Sequence, residues 1–206
     1  MIEIKNLTVN YIEEFASVYN LSIEIKSNTL FVCDKLDGGF AILRTLAKID
    51  KAYKGEILLD GVNLKHIKDK FLPIAFVPKK PYLFKSNIDK NLLFPLKIRK
   101  INKKTSQNAV NLLKNEYNLN NFPKKIKNLN FGEQKIICLA RAIIRKPQYI
   151  LVENFFENLE PEHIALAEKM IADASTFATI VATEKTTCSA YKNFNVIKLE
   201  NGSTKQ

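Results

Sequence analysis

Two segments of this chain have residue types and spacing that are typical of phosphate chemistry. The first, FVCDKLDGGFAILRTLA (31–47), is an apolar strand, a polar turn with two adjacent glycines and an apolar-periodic helix. In a phosphate-binding loop, glycines let backbone amides wrap the phosphates, a lysine reaches the terminal phosphates and a hydroxyl holds magnesium. The positions of that pattern fall, in order, on Cys33, Gly38, Gly39, Phe40 and Ala41. The lysine position is thus a glycine, and the hydroxyl position is a phenylalanine.

The second segment, YILVENFFENLEP (149–161), places polar residues directly after a buried strand. An acid pair at such a place can hold a metal and polarise a water molecule for attack on a phosphate. Here the pair is Glu153 and Asn154. Asn154 cannot act as a general base, because an amide does not accept a proton near neutral pH. Glu153 is interpreted either as a residue that reaches a metal or as a solvated acid at a strand end.

Apolar periodicity predicts the elements that position these segments. Strand patterns occur in 1–9, 21–33, 55–64 and 72–78, and a helix is predicted over 40–48. The region 86–128 is rich in lysine and asparagine with helical spacing, and is predicted to be a helical insertion. A helix, a strand, a helix over 161–174 and two strands follow. Strands that alternate with helices predict an α/β fold with parallel strands, whose ligands lie at the carboxyl ends of the strands.

No metal site is predicted from the ligand-type residues. Cys33, Cys138 and Cys188 are widely spaced and are interpreted as reduced thiols. His66 and His163 have no second ligand at metal spacing, so both are expected to be exposed and chemically idle. No run reaches the roughly 18 apolar residues of a membrane span, and the first residues lack a secretion-signal pattern.

The formal net charge of +11 raises the question of an anionic partner. Lysines are densest in KIRKINKK (97–104) and FPKKIK (122–127). Runs of like charge are usually solvated surface, so these clusters favour a membrane-proximal face only weakly.

The segment LNFGEQKIICLARAIIRKPQYILVEN (129–154) resembles the signature region of ABC transporter nucleotide-binding subunits. That family has LSGGEQ, a helix with Ala-Arg-Ala, a Lys-Pro helix stop, an apolar strand and an acid pair. The positions that match at the same spacing are Leu129, Gly132, Glu133, Gln134, 140–142 and 146–147. Asn130 and Phe131 stand in place of the signature serine and first glycine. Asn130 and Glu133 also form an ordinary helix capping box, so these residues are alternatively interpreted as a helix start alone.

The resemblance implies one ABC-type nucleotide-binding domain over 1–206. Its P-loop NTPase-like α/β core would comprise 1–85 and 129–206, with an antiparallel β subdomain and a helical insertion over 86–128. It also implies that Tyr11 occupies the position at which the family stacks an aromatic ring on adenine. Alternatively, Tyr11 is an aromatic residue of an edge strand without that role. The loop Cys33 to Ala41 would then be a vestigial phosphate loop.

Further departures from the family pattern predict a pseudo-ATPase with no intact catalytic residue. Lys79 replaces the glutamine after Val-Pro, and Glu184 replaces the histidine after the last core strand. With Glu153 and Asn154, four catalytic positions are altered. No cofactor is expected, and weak ATP binding without turnover stays open. The rival hypothesis is an active ATPase in which Lys35 and Glu153 substitute for the missing groups.

The resemblance implies a membrane-associated scaffold. Lys79, Tyr82, Leu83 and Phe84 lie where the family docks its integral membrane subunit, and the chain would form a homodimer or a heterodimer with another ABC subunit. The motifs ENLE and ATE resemble those of the cell-division ATPase FtsE and of lipoprotein-release ATPases. The expected location is the cytoplasmic face of the inner membrane. A nucleic-acid-associated ABC protein is the third hypothesis, although no nucleic-acid partner is expected.

Overall fold

Among the residues that the structure describes, two β-sheets and five α-helices follow the apolar patterns of the sequence. The computed structural model describes residues 1–10, 17–33, 37–200 and 203–204. The strands are β1 Ile2–Asn10, β2 Ser17–Ile25, β3 Thr29–Cys33, β4 Lys54–Leu59, β5 Val62–Asn63, β6 Ile74–Val77, β7 Tyr149–Glu153, β8 Thr179–Glu184, β9 Asn195–Glu200 and β10 Ser203–Thr204. The helices are α1 Asp37–Leu46, α2 Ile88–Ile98, α3 Lys103–Glu116, α4 Phe131–Ile143 and α5 Pro161–Ala174.

The first sheet is antiparallel, with the strand order β2-β1-β4-β5. Alternate residues of a strand point to the same face, and Ile2 and Ile4 of β1 are accordingly buried on the core side. β4 and β5 are joined at Asp60 and Gly61, whose φ angles of 49° and 79° lie in the left-handed region. The turn predicted at this pair is therefore confirmed.

The second sheet positions the candidate site. Its order is β10-β9-β3-β8-β7-β6, and all of its pairs are parallel except β10 with β9. Every residue of β7 is buried, as expected for a strand covered on both faces. Because β3, β8, β7 and β6 are parallel neighbours, their carboxyl ends meet at one edge. The predicted mixed α/β fold, with an antiparallel sheet and a parallel sheet, is confirmed.

The helices α2 and α3 lie within the predicted insertion. Asn87 and Asn102 cap them, and each side chain accepts a hydrogen bond of 2.8 Å from a backbone amide in the first turn of its helix. Leu92, Leu96 and Val110 are buried between these helices and the core. In the part of the chain with described coordinates, no helix has the length and apolar character needed to cross a bilayer.

Two local predictions are wrong. The first helix runs from Asp37 to Leu46 instead of 40–48, and it ends early because Lys48 adopts a left-handed φ of 57°. His163 is only 4% exposed, because its ring packs against the glycine near the start of α4. His66 is exposed as predicted. α5 matches the predicted 161–174, and none of the three cysteines forms a disulfide.

Candidate functional site

The predicted catalytic positions lie along the carboxyl edge of the parallel sheet. β3, β8 and β7 end at Cys33, Glu184 and Glu153, and Lys79 follows the end of β6. Open α/β sheets bind ligands outside the carboxyl ends of their strands. These residues therefore occupy the edge at which a ligand of such a fold would lie. Tyr11 and Lys35 lie outside the described residues.

Glu153 connects β7 to the loop after β6. Its side chain is 9% exposed, and Oε2 accepts a hydrogen bond from the backbone nitrogen of Lys79 at 3.2 Å. Burial raises the pKa of Glu153, and the bond from the Lys79 amide opposes that rise. The interpretation of Glu153 as a solvated acid is therefore wrong.

Asn154 turns the chain directly after β7. Its φ of 40° lies in the left-handed region, which asparagine tolerates better than most residues. Its backbone nitrogen donates to the Thr183 carbonyl at 2.8 Å, and its side-chain amide donates to the Glu157 carboxylate. Glu157 also binds Lys79 Nζ at 2.6 Å and Lys185 Nζ at 3.1 Å. Hydrogen bonds from these two ammonium groups lower the pKa of Glu157 to about 2.

Glu184 anchors the segment that follows β7. It is 5% exposed, and its Oε1 accepts hydrogen bonds from the backbone nitrogens of Phe155 at 2.8 Å and Phe156 at 3.2 Å. Burial raises the pKa of Glu184 from its ordinary value of 4.5 to about 7, against the opposing effect of the two amides and Lys135. In this chain the residue is a buried acceptor that satisfies two backbone amides.

Lys135 brings a buried positive charge from α4 to the same edge. The residue is 1% exposed, and Nζ donates to the Glu157 carbonyl at 3.2 Å. The ammonium also lies 5.4 Å from the ring centre of Phe131 and 5.1 Å from that of Phe155. Desolvation lowers the pKa of Lys135 to about 8, and the negative charges of Glu184 and Glu157 oppose this fall.

The described end of the predicted phosphate loop, Gly38 to Ala41, lies in α1, and Gly39 packs tightly against β8. Gly39 is buried in the first turn of α1, and a Cβ atom at this position would lie 2.7 Å from Thr183 Cγ2 and 2.8 Å from Cys33 Sγ. Real Cβ atoms essentially never come that close to a neighbour. Phe40 is half-buried, and the Arg44 guanidinium lies 4.9 Å from its ring centre. Gly38 and Ala41 are buried.

The signature residues form the start of α4. Asn130 caps the helix and forms a reciprocal capping box with Glu133, with both hydrogen bonds at 2.8 Å. Leu129 is buried, and its carbonyl accepts a bond from Gln134 Nε2 at 3.0 Å. The capping box predicted from the sequence is therefore confirmed.

Gly132 is held by packing between α4 and α5. A Cβ atom there would lie 2.6 Å from His163 Nδ1 and 2.8 Å from His163 Cγ. Phe131, in contrast, is 45% exposed. The packing of α4 against α5 is therefore sufficient to explain a glycine at this signature position.

Four residues of the site were not among the predicted ones, namely Lys135, Glu157, Thr183 and Lys185. Helical spacing from Gly132 and Leu139 could have placed Lys135 on the buried face of α4. Thr183 offers no such signal, because its contact depends on how α1 packs over β8. The structure brings the cluster of Lys79, Lys135, Glu153, Asn154, Glu157, Glu184 and Lys185 together at one sheet edge.

Comparison of the sequence with known protein families identifies the family of this chain. The family model described as ABC transporter matches residues 40–156, which is more than half of the chain. The chain belongs to the ABC transporter family. The mixed α/β domain is thus an ABC-type ATP-binding domain, as the signature region predicted.

Individual relatives agree with this assignment. The ABC chain is 28% identical over 137 residues to the tungstate uptake system ATP-binding protein TupC of Peptoclostridium acidaminophilum, covering 66% of this chain and 63% of the relative. It is 29% identical over 158 residues to the putrescine transport ATP-binding protein PotG of Escherichia coli, covering 75% of this chain and 42% of the relative. It therefore spans less than two thirds of the length of these relatives.

The fold also agrees with a solved structure of the ATP-binding subunit of an ABC transporter. The TM-score is 0.85 at 14% sequence identity, and the match covers 100% of this chain and 88% of the other. At that identity the likeness concerns the fold. The predicted P-loop NTPase-like core of an ABC ATPase is accordingly confirmed.

Proposed function

We propose that this ABC chain does not hydrolyse ATP and acts as a scaffold that docks on an integral membrane partner. One observation carries the proposal: each side chain at the four altered catalytic positions is bonded to another group of the same chain. Glu153 accepts from the Lys79 amide, Lys79 Nζ and Asn154 bind Glu157, and Glu184 accepts from two backbone amides. These bonds hold together the ends of β6, β7 and β8.

The residues of the vestigial phosphate loop do not fit a magnesium nucleotide. Gly39 carries no charge, and the contacts with Thr183 and Cys33 leave no space for a side chain at this position. Phe40 has no oxygen with which to hold magnesium. A charge-assisted hydrogen bond contributes about 1.5–3 kcal/mol. Loss of the lysine alone therefore weakens nucleotide binding by about tenfold or more.

Hydrolysis requires groups that this chain lacks. Asn154 cannot accept a proton from water, and it is 2% exposed and bonded to Glu157. Removal of a single transition-state stabiliser lowers the rate by about 10²–10³. Glu153 remains the only carboxylate at the predicted acid pair, and its Oε2 already accepts from the Lys79 amide. The expected result is no turnover and no cofactor.

An apolar groove over β6 supports docking of a partner. It encloses about 300 Å³ between the loop after β6, α2 and α4. Phe84 and Phe94 stack edge to face at 4.5 Å, and Tyr82 is 70% exposed. Arg141 fixes the loop by donating to the Tyr82 carbonyl at 2.7 Å. Exposed apolar surface that is rimmed by polar groups is typical of a protein contact.

The predicted docking residues differ in how accessible their side chains are to a partner. Tyr82 and Phe84 expose their rings, whereas Leu83 packs against the core and the Lys79 ammonium is bound to Glu157. The proposed contact therefore rests on Tyr82 and Phe84. The partner is the membrane subunit of an FtsEX-like or export-type complex at the cytoplasmic face of the membrane, with this chain as a homodimer or heterodimer.

We expect no binding of ATP or Mg-ATP up to millimolar concentration. Calorimetric titration of the purified protein, after mass spectrometry has confirmed that no nucleotide co-purified, measures this directly. Phosphate release that exceeds the background and is abolished by Glu153→Gln would replace the proposal with the active-ATPase alternative. Micromolar binding without release would refute the assignment of Gly39 and Phe40, because neither residue supplies a phosphate or magnesium ligand.

Replacement of Tyr82 and Phe84 by serine is expected to release the chain from native membranes. The measured quantity is the fraction of tagged full-length protein that sediments with membranes from its own cells. Tyr19→Ser with Phe177→Ser is the matched control, because these rings are similarly exposed, at 56% and 38%, but lie outside the groove. Equal sedimentation of the two double variants would contradict docking through the groove.

A further inference from the structure

We propose that the connection between α2 and α3 binds the surface of an anionic lipid bilayer directly. The segment contains five cations and two isoleucines in eight residues, and it is called the basic corner: Lys97, Ile98, Arg99, Lys100, Ile101, Lys103 and Lys104. All seven side chains are exposed. This inference goes beyond the proposed function, because it requires no membrane protein.

The positive charge of the basic corner is not neutralised locally. The segment 97–104 contains no acidic residue, and within the described ranges none of its five cations forms an ion pair with a carboxylate. Other lysines of the chain are paired, for example Lys114 with Asp89 at 2.8 Å. Clusters of four to eight cations are attracted to the negative potential of an anionic leaflet.

Two of these lysines lie at a helix end where a positive charge is destabilising. Lys103 and Lys104 are the first two residues of α3, and the first turn of that helix has no acidic residue. The amino end of a helix carries a partial positive charge, so cations there reduce helix stability. Asn102 caps the helix through Thr105 but does not offset that repulsion. Residues that oppose local stability are expected at functional sites, and an external anion would offset the repulsion at this helix end.

The exposed apolar side chains favour lipid over nucleic acid. Ile98 is 56% exposed and Ile101 is 40% exposed, and both lie between the cations. Aliphatic side chains with flanking lysine and arginine are typical of segments that lie in a bilayer interface. Single-stranded nucleic acid is instead bound by aromatic rings that stack on bases, and the basic corner has none.

The basic corner is continuous with the docking groove. Ile98 lines the groove together with Phe84 and Phe94. Arg99 also donates to the Leu72 carbonyl at 3.2 Å, which fixes the corner against the loop before β6. A partner in the groove and a lipid surface at the corner would therefore contact adjacent parts of one face.

The test is sedimentation of the full chain with protein-free vesicles. We expect binding to phosphatidylcholine vesicles that contain phosphatidylglycerol, and none to phosphatidylcholine alone. The triple variant Lys100→Gln, Lys103→Gln, Lys104→Gln should bind about 100-fold more weakly, which is about fivefold for each cation removed. The matched control is Lys124→Gln, Lys125→Gln, Lys127→Gln, which removes the same charge from exposed positions elsewhere.

The outcomes separate lipid binding from general electrostatics and from docking. A fall in binding that is confined to the corner variant, with a further fall on Ile98→Ser and Ile101→Ser, supports the proposal. Equal losses in both triple variants would assign binding to net charge and overturn it. Absence of vesicle binding, or tighter binding to single-stranded RNA than to vesicles, would also overturn it. Because no membrane protein is present, these results are independent of the Tyr82 and Phe84 test.

Discussion

Replacement of Glu184 by alanine is expected to lower the free energy of unfolding by about 2–4 kcal/mol, because a buried donor left without an acceptor costs about 1–3 kcal/mol. The substitution leaves the backbone amides of Phe155 and Phe156 without their acceptor. It also removes a negative charge that stabilises the buried Lys135 ammonium. Urea denaturation of the purified chain at constant pH measures the effect.

Two further variants make this prediction specific. Near pH 5, where the raised pKa keeps Glu184 protonated in the folded state, Glu184→Gln keeps an oxygen acceptor and should cost about 1 kcal/mol, the usual value of a net hydrogen bond. Glu160→Ala is the control, because that glutamate is exposed and its side chain makes no capping hydrogen bond, so its effect should stay within about 0.5 kcal/mol. A cost for Glu184→Ala as small as that of the control would show that the carboxylate does not hold the segment after β7.

The pH dependence gives a second readout of the same carboxyl group. The pKa of Glu184 is raised by folding from 4.5 to about 7, so the folded state binds its proton more tightly than the unfolded state. Its contribution to stability is therefore present below pH 4.5 and is lost as the pH rises through about 7. The difference in the free energy of unfolding between wild type and Glu184→Gln should change by about 3 kcal/mol over this pH window. A difference that is constant with pH would contradict the burial of Glu184.

A lysine at position 39, where the phosphate-loop pattern has one, is expected to destabilise the fold and not to strengthen nucleotide binding. Gly39→Lys places a Cβ atom 2.7 Å from Thr183 Cγ2 and 2.8 Å from Cys33 Sγ. Overpacking of a core typically costs about 1–3 kcal/mol, and the buried ammonium adds to that cost. Thermal denaturation of Gly39→Lys and Gly39→Ala separates the crowding by Cβ from the effect of the charge.

A double-mutant cycle tests whether the contacts of position 39 with Thr183 and Cys33 cause the loss of stability. Thr183→Ser removes the crowding methyl group and keeps the hydroxyl, and Cys33→Ala removes the sulfur. In this double background Gly39→Ala should be tolerated, because the two closest atoms are gone, and the coupling energy should be about 1–3 kcal/mol. Purely additive costs would show that the space around Gly39 is limited by something else.

The sequence predicted the elements better than it predicted their contacts. The pattern 161–174 specifies α5 fully, because Pro161 fits the first turn of a helix and apolar residues recur at helical spacing. α1 begins earlier than predicted, at Asp37, although glycines are poor helix formers. Gly39 is accommodated in its first turn because only glycine fits against Thr183. That contact joins distant parts of the chain and leaves no periodic signal.

Burial of polar residues was the main source of error in the site. His163 and Lys135 belong to residue types that are usually exposed or half-exposed, yet they are 4% and 1% exposed. His163 is buried because Gly132 leaves space for its ring. Lys135 is buried because the Glu157 carbonyl and two aromatic rings replace its water. The altered positions Glu153 and Glu184 were identified from the sequence, but their backbone partners were not.

The close packing of Gly39 against Thr183 and Cys33 has a consequence for the order in which this sequence can change. A lysine at position 39 avoids the cost of this crowding only after the neighbouring methyl group and sulfur have been removed. Each of those changes alone gains no phosphate ligand, so selection for nucleotide binding would not favour the first steps. Under the proposed function, a return to ATP binding would therefore require these permissive substitutions to come before the lysine.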